Sequence, residues 1–409
     1  MSTSTVDTTD DAPVFTGIGV VAPNGTGTEE YWRATLEGRS GLGPLTGFDT
    51  DGYDLHVAGH VTGFDATPHL PARVLAETDR WTRMGLVAAG WALADAHAGA
   101  AGWDPYEVCV MTASSSGGNE LGQREIQKLW HQGPGQVSVY QSIGWFYAAT
   151  TGQASIRHGF KGSCSVLVAE QAGGLDALAQ ARRALREGHR AVLTGGTEAP
   201  LSPYAVTCQL PTGTLSPARD PARAYLPFDE RAAGWVPGEG GAMFVLEHPR
   251  AAGERGAPHR YGRLAGHAAG FAPDGAGRRV LDRVVRLALD DAGLPPAHVD
   301  AVFADASARP GADADESRVL ADVFGPHGVP VTAPKTMTGR LYAGGAALDV
   351  AAALLALRDQ VLPPTAGVRR PAAHHRLDLV LRTRPARLRN VLVLARGEGG
   401  FVSACVLSR

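Results

Sequence analysis

Gln171 stands where a strand gives way to a helix. The stretch "VLVAEQAGGLDALAQARRALREG" (166–188) reads as a buried strand, a tight glycine-containing turn and a helix, with Gln171 at the mouth of the turn. A side chain placed there faces the crevice at the carboxyl end of the strand, where the helix dipole stabilises a thiolate or an oxyanion. That is a position for a nucleophile. A glutamine amide donates and accepts hydrogen bonds but cannot attack a carbonyl. No cysteine replaces it: Cys109 and Cys405 fall within predicted strands, Cys164 precedes one, and Cys208 falls in a predicted loop. Taken alone, Gln171 is first of all a turn residue.

Other chemical motifs are weaker. "GIGVVA" (17–22) fits the loose GxGxxA form of a dinucleotide fingerprint, but Pro23, Asn24 and Gly25 break the chain before a helix could direct its N-terminus at a pyrophosphate. No GxSxG, HExxH or phosphate-loop pattern occurs. The cysteines are widely spaced with no CxxC pair, which argues against a disulfide framework and a zinc site and predicts reduced, buried thiols. The pair His374–His375 lies in a Pro/Arg-rich stretch and is expected on the solvated surface; no metal site is expected.

The elements that must position Gln171 follow from patterning. With 409 residues, 44% of them hydrophobic, the chain is long enough for a large core. A net charge of −3 and only 19% charged residues give no footprint for nucleic acid. Residues 1–12 are polar and acidic and are expected to be a disordered leader, without the apolar centre of a signal peptide. The longest apolar run (344–357) is too short for a membrane span and carries Asp349, so it predicts a buried helix in a soluble cytoplasmic protein.

Short β-branched runs alternate with Ala/Leu-rich helical stretches, the pattern of an α/β fold with strands buried on both faces. Strands are predicted at 13–23, 107–116, 165–170, 191–196, 241–248, 260–270, 299–307, 391–397 and 401–408. Helices are predicted at 28–38, 80–99, 119–130, 147–158, 175–187, 278–293, 315–323 and 344–358. The strand at 13–23 is echoed at 260–270, and the polar, Gly/Pro-rich segment 246–259 is the natural joint. Two similar halves, 13–250 and 251–409, are therefore expected, although an ordinary two-domain α/β protein has the same pattern.

Four segments together resemble the β-ketoacyl synthases: "VAEQAGGLDALAQARR" (168–183), "PARAYLPFDERAAGWVPGEGGA" (221–242), "APKTMTGRLYAGGA" (333–346) and "GEGGFVSA" (397–404). The resemblance runs from about residue 13 to 409 and is strongest to the chain-length-factor branch, the second ketosynthase-like subunit of type II polyketide synthases. It implies a thiolase-like fold, with two pseudo-repeated βαβαβ halves in five α-β-α-β-α layers. Working members of that family carry a Cys nucleophile, a His in an "HGTGT"-type loop, a second His after a Lys, and a Phe gate. The matching residues here are Gln171, Asp305, Arg340 and Glu398; of the catalytic group, only Lys335 is retained.

Claisen condensation needs a thiolate to hold the acyl chain and neutral imidazoles to stabilise the enolate formed as malonyl thioester loses carbon dioxide. Asp305 would repel that enolate, and Arg340 beside it is expected to form a charge-assisted pair that fills the pocket. No condensing activity is expected of this chain alone. The resemblance implies a heterodimer with an active ketosynthase α subunit, and an acyl carrier protein whose phosphopantetheine presents the chain, so that no cofactor of its own is required.

The segment 138–156 matches the family's interface region, with Tyr140, Gln141, Trp145, Phe146 and Tyr147 the residues expected at the partner; burial within the subunit alone is the other reading. Asn119, Gly122 and Ile126 match the family's tunnel-end positions, and their spacing places them on one helical face over roughly 10 Å. Gly122 costs a helix about 1 kcal/mol relative to Ala, which missing bulk at a tunnel wall explains and close helix packing explains equally. These small residues predict a long tunnel and a long poly-β-ketone, most simply an aromatic polyketide. Alternatives are a malonyl-carrier-protein decarboxylase acting through Gln171, a subunit of a polyene-forming heterodimer, and an interaction protein without a tunnel.

Overall fold

A computed structural model describes residues 11–273 and 277–409. The leader expected over residues 1–12 lies almost entirely outside the described residues. From the N-terminus come β1 (Val14–Ala22), α1 (Arg80–Asp95), β2 (Val108–Ala113), α2 (Asn119–Gln132), α3 (Ala149–His158), β3 (Cys164–Leu167), α4 (Gly173–Arg186), β4 (Ala191–Glu198) and β5 (Gly240–Glu247). The second half repeats the plan with β6 (Gly262–Phe271), α5 (Gly277–Asp291), β7 (Ala301–Phe303), α6 (Pro310–Phe324), β8 (Pro330–Thr332), α7 (Ala343–Asp359), β9 (Asp378–Leu379), β10 (Asn390–Arg396) and β11 (Phe401–Ser408).

Strand order makes the repeat explicit. The first half runs β3-β2-β4-β5-β1 and the second β9-β8-β7-β10-β11-β6. In each, the three strands β3, β2, β4 or β8, β7, β10 are parallel, and the next two join antiparallel. The two half-sheets touch at one corner, where Val14 and Phe15 pair with Arg263 and Gly262.

Alternate residues of each strand feed different cores, because successive side chains point to opposite faces. On β5, Phe244 and Leu246 enter the central core while Met243 and Val245 pack outward with α1. On β10, Val391 and Val393 point to the centre and Leu392 and Leu394 outward to α5 and α6. The central core lies between the half-sheets around α4 and α7, which pack on each other, giving five layers: helices, sheet, helices, sheet, helices. α7 is buried at every position from Ala343 to Leu357, as its unbroken apolar run requires.

The glycines of "GIGVVA" serve this layering. A Cβ on Gly17 would lie 2.1 Å from the Ala92 carbonyl oxygen, and one on Gly19 2.0 Å from that of Ala88, so β1 and α1 meet backbone to backbone. Gly266 on β6 meets the Ala288 carbonyl on α5 in the same way, at 2.3 Å. The motif is packing and not dinucleotide binding.

Several expectations change. The strand expected at 299–307 pairs only over Ala301–Phe303, and that expected at 165–170 ends at Leu167, because the chain turns to reach α4. The helix expected at 147–158 starts at Ala149, and that expected at 315–323 begins five residues earlier at Pro310. Cys109 and Cys405 are buried, but Cys164 and Cys208 are exposed, and Cys208 sits in a helix, Pro203–Gln209. His375 is buried: it shares a 2.8 Å hydrogen bond with the Ser317 hydroxyl and stands edge-on to Phe228, and burial lowers its pKa to about 4.

Replacing Gly19 with Ala is expected to lower the thermal midpoint, at a cost of about 1–3 kcal/mol for forcing β1 from α1. Gly90, also on α1 but with nothing within 4 Å of an added Cβ, is the control. Gly90→Ala should raise the midpoint, by the roughly 1 kcal/mol that Ala gains over Gly in a helix.

Candidate functional site

After β3 the chain passes through Glu170 in a left-handed conformation (φ 48°) and a single 3-10 turn, Glu170–Ala172, into α4. Gly173 and Gly174 open that helix because α7 crosses there: a Cβ on Gly174 would come within 2.5 Å of the Ala343 carbonyl. This close crossing aims Gln171 into the centre of the molecule. Gln171 is buried, its Oε1 lies 3.7 Å from the position a Cβ on Gly345 would take, and its Nε2 has no hydrogen-bond partner.

Gln171 shares a cavity with Asp305, Lys335 and Arg340, but the cavity holds only about 10 Å³, roughly the space for one water. Arg340 fills it. Its Nη2 lies 2.9 Å from Asp305 Oδ1 and donates to the Arg396 carbonyl at 2.8 Å, while Nη1 donates to the Asp305 carbonyl at 2.8 Å. Arg396 lies 3.1 Å from the other Asp305 oxygen and 3.0 Å from Glu316. Lys335 Nζ pairs with Asp349 at 2.6 Å and donates to the Asp305 carbonyl at 3.1 Å.

Burial alone would push the Asp305 carboxyl up, but Arg340, Arg396 and Lys335 outweigh it and hold it far below the usual carboxylate range. Burial likewise disfavours the Arg340 cation, and Asp305 more than compensates, so Arg340 stays charged. Burial raises Asp349 to about 6 against the opposing pull of Lys335. Three cations thus meet three carboxylates, with Arg340 committed to Asp305 and Lys335 to Asp349.

The loop carrying Asp305 is strained. Ala306 and Ala308 have φ of 51° and 57°, a region L residues avoid, and they fall in register with the two glycines of the "HGTGT" pattern. Hydrogen bonds hold them there: Glu316 accepts from the backbone N–H of Asp305 and Ala306, the Tyr225 hydroxyl donates to the Ala306 carbonyl, and the Gly234 N–H donates to that of Ala308.

Glu398 lies in the loop after β10 and pairs with Arg309 at 2.6 Å, and it lines a cleft of about 380 Å³ together with Asp305, Arg340 and Arg396. The same loop is tied to the turn before α4, since the Gly399 N–H donates to both carboxylate oxygens of Glu170 at 3.1 and 3.0 Å.

Asn119, Gly122 and Ile126 lie on α2 as the spacing predicts. Ile126 is half-exposed, and the face continues into exposed Leu129 and Trp130. A Cβ on Gly122 would sit 3.8 Å from Gln141 and 3.9 Å from Trp145, ordinary contact distances, so close helix packing does not require this glycine. Trp145 and Phe146 are half-exposed, Tyr140, Gln141 and Tyr147 partly buried, which rules out the reading of this segment as a helix buried within the subunit. Only one helical turn, Gln141–Gly144, forms there.

Two buried carboxylates place α2. Asp79 accepts from the Trp81 N–H at the start of α1 and from the Leu121 N–H of α2 at 2.6 Å. Glu198, at the end of β4, accepts from the backbone N–H of Ser115 and Ser116 and from the Ser116 hydroxyl, in the turn leading to α2. Burial raises Asp79 to about 6 and Glu198 to about 7. Sequence reasoning missed these groups, together with Glu316, Arg396 and the role of Asp349. The one signal was Asp349, a lone carboxylate in an apolar helix.

Among known proteins, residues 13–252 match the description "Beta-ketoacyl synthase, N-terminal domain", and residues 263–369 match its C-terminal domain. The chain belongs to the β-ketoacyl synthase family. It is 58% identical over 400 residues to the tetracenomycin polyketide synthase ketoacyl synthase beta subunit of Streptomyces glaucescens, covering 97% of this chain and 98% of that one. It is 53% identical to the actinorhodin polyketide putative beta-ketoacyl synthase 2 of Streptomyces coelicolor, with coverage of 97% and 98%. Among solved structures, the ishigamide ketosynthase/chain length factor superposes with a TM-score of 0.90 at 25% identity, covering 98% of this chain and 99% of that one. As a β-ketoacyl synthase, this chain keeps the fold's turn before α4 while its centre is closed by ion pairs. No helix among the described residues is long and apolar enough to cross a membrane, and no cluster of His, Cys, Asp or Glu among them is placed to hold a metal.

The folded Glu198 carboxyl titrates near 7, above its ordinary 4.5, so the folded chain binds this proton more tightly than the unfolded one. Its stabilising contribution is complete below about 4.5 and is lost as pH rises through about 7. Glu198→Gln is expected to flatten the fall of the thermal midpoint between pH 5 and 7.5; an unchanged slope assigns that dependence to other groups.

Proposed function

We propose that this chain is the non-condensing chain-length-factor subunit of a ketosynthase heterodimer. With an active ketosynthase partner it elongates malonyl units, presented on the phosphopantetheine of an acyl carrier protein, into a poly-β-ketone whose length it helps to set. The observation that carries the reading is the occupied centre: Arg340, committed to Asp305, leaves about 10 Å³ beside Gln171, and no thiol or imidazole is present there. The names of its relatives support the same reading. The tetracenomycin relative is a ketoacyl synthase beta subunit, one solved relative is a ketosynthase/chain length factor, and another is an acyl-carrier protein in complex with its ketosynthase.

The surface supports a partner. β3 is an edge strand whose outer backbone groups are unpaired in the sheet, and Val168 just beyond it is half-exposed. Ile126, Trp130, Val139, Trp145 and Phe146 are also exposed apolar side chains, of the kind that mark a protein interface. A tunnel wall on α2 then becomes complete only in the heterodimer. Decarboxylation through Gln171 is the weaker reading, because a malonyl thioester does not fit the space and Arg340 is already paired.

Gly122→Phe in the reconstituted heterodimer is expected to shift product toward shorter chains by mass spectrometry, since a phenyl ring on this face projects toward Gln141 and Trp145. Unchanged length at retained activity removes Gly122 from the ruler. Gln171→Ala is expected to leave elongation within about twofold; loss of carbon dioxide release from malonyl carrier protein, with the heterodimer still assembled, would establish the decarboxylase.

A further inference from the structure

A cleft of about 360 Å³ lies apart from the central cluster, between the segments around residues 38–40, 220–231 and 366–369. Arg223, Arg231 and Arg369 line it, against the single carboxylate of Asp220. In a chain of net charge −3, that concentration of guanidinium groups needs a reason. Like charges gathered in one concavity repel, and the repulsion is relieved when an anion binds.

The cleft is built rather than accidental. Asp229 is buried and grips Arg231 with both oxygens, Oδ1 to Nε at 2.7 Å and Oδ2 to Nη2 at 2.9 Å. The same carboxylate accepts from the backbone N–H of Arg369 and Arg370 at 3.3 and 3.1 Å. One buried group therefore fixes the two chain segments that carry Arg231 and Arg369, and the Glu230 N–H bond to the Arg370 carbonyl, at 3.1 Å, reinforces the join. Arg231 Nη1 makes no bond within the described chain, and among the described residues neither Arg223 nor Arg369 has a carboxylate partner.

Two of the neutral donors lining the cleft are already used, while the Ser40 hydroxyl only accepts, from the Leu42 N–H. The Tyr225 hydroxyl donates to the Ala306 carbonyl and the Thr336 hydroxyl to the Ala333 carbonyl. Asp220 turns one oxygen to the Ala222 N–H at 3.0 Å. There remain the guanidinium groups of Arg223 and Arg369 and the Nη1 of Arg231, arriving from two separate segments, with Arg231 otherwise held by Asp229. A planar carboxylate is satisfied by one such fork, whereas a tetrahedral phosphate has oxygens for several.

We propose that this cleft is a binding site for a phosphate ester, with Arg223, Arg231 and Arg369 as its anion-holding residues. Two sources carry that group. One is a free small phosphate ester, which does not depend on the function proposed above; the other is the phosphopantetheine arm of a carrier protein, which does.

Isothermal titration of the assembled heterodimer with phosphopantetheine, and with pantetheine lacking the phosphate, tests the site. Phosphopantetheine is expected to bind, more weakly as salt is raised, and pantetheine not to bind measurably. Arg223→Ala/Arg369→Ala should weaken phosphopantetheine binding about tenfold or more, as expected for loss of charge-assisted contacts, while the thermal midpoint stays unchanged because both residues are exposed. Equal binding of the two compounds, or affinity indifferent to the double substitution, overturns the proposal. Holo and apo carrier protein distinguish the sources: a holo preference abolished by the double substitution assigns the carrier's arm, and equal carrier binding beside arginine-dependent binding of the free compound assigns the free ester.

Discussion

The buried charge balance around Asp305 is the constraint on which the interior depends. Asp305, Glu316 and Asp349 face Lys335, Arg340 and Arg396, and all but Arg396 are buried to below a tenth of their exposed area. Removing one member of such a set strands an opposite charge in low dielectric, at about 3–5 kcal/mol. The cluster also has mechanical consequences. It joins the loop after β7 to the segment before α7 and to the end of β10, and Glu316 within it holds Ala306 in a left-handed conformation. The groups that would have to move to enlarge the space beside Gln171 are the groups that keep this centre neutral, so the same interactions that stabilise the fold keep that space small.

Much of this was legible in the sequence, for identifiable reasons. Strands with apolar residues at consecutive positions mark an α/β fold buried on both faces, and β5 and β10 do send alternate side chains into two different cores; the five layers were implied by the family resemblance. Gln171 was placed in its turn by local pattern alone, and the pairing of Asp305 with Arg340 followed from charge once both were assigned to one pocket. The remainder of the cluster was not legible, because Glu316, Asp349 and Arg396 sit on three separate elements and meet only in the fold. Glu398 was grouped with the others by correspondence; it shares a cleft with Asp305 and Arg340, and its ion pair with Arg309 was not legible. His375 was assigned to solvent on local composition, whereas Ser317 on α6 and Phe228 on a distant loop enclose it. Composition describes what a segment could face, and only tertiary contact decides what covers it.

The exterior is unfinished, whereas the space beside Gln171 is filled. α2 presents Ile126, Leu129 and Trp130 to solvent, the turn after it exposes Trp145 and Phe146, and β3 leaves a sheet edge open. Gly122 lies on the same helix as Ile126, Leu129 and Trp130, beside Trp145, and its Cβ position is free of close contact. The turn that carries Gln171 is itself tied down, by the Gly399 N–H bonds to the Glu170 carboxylate. On the function proposed above, this chain acts through what α2 and its neighbours offer a partner. That explains why two buried carboxylates, Asp79 and Glu198, are devoted to fixing the start of a helix whose outer face, within one chain, touches so little.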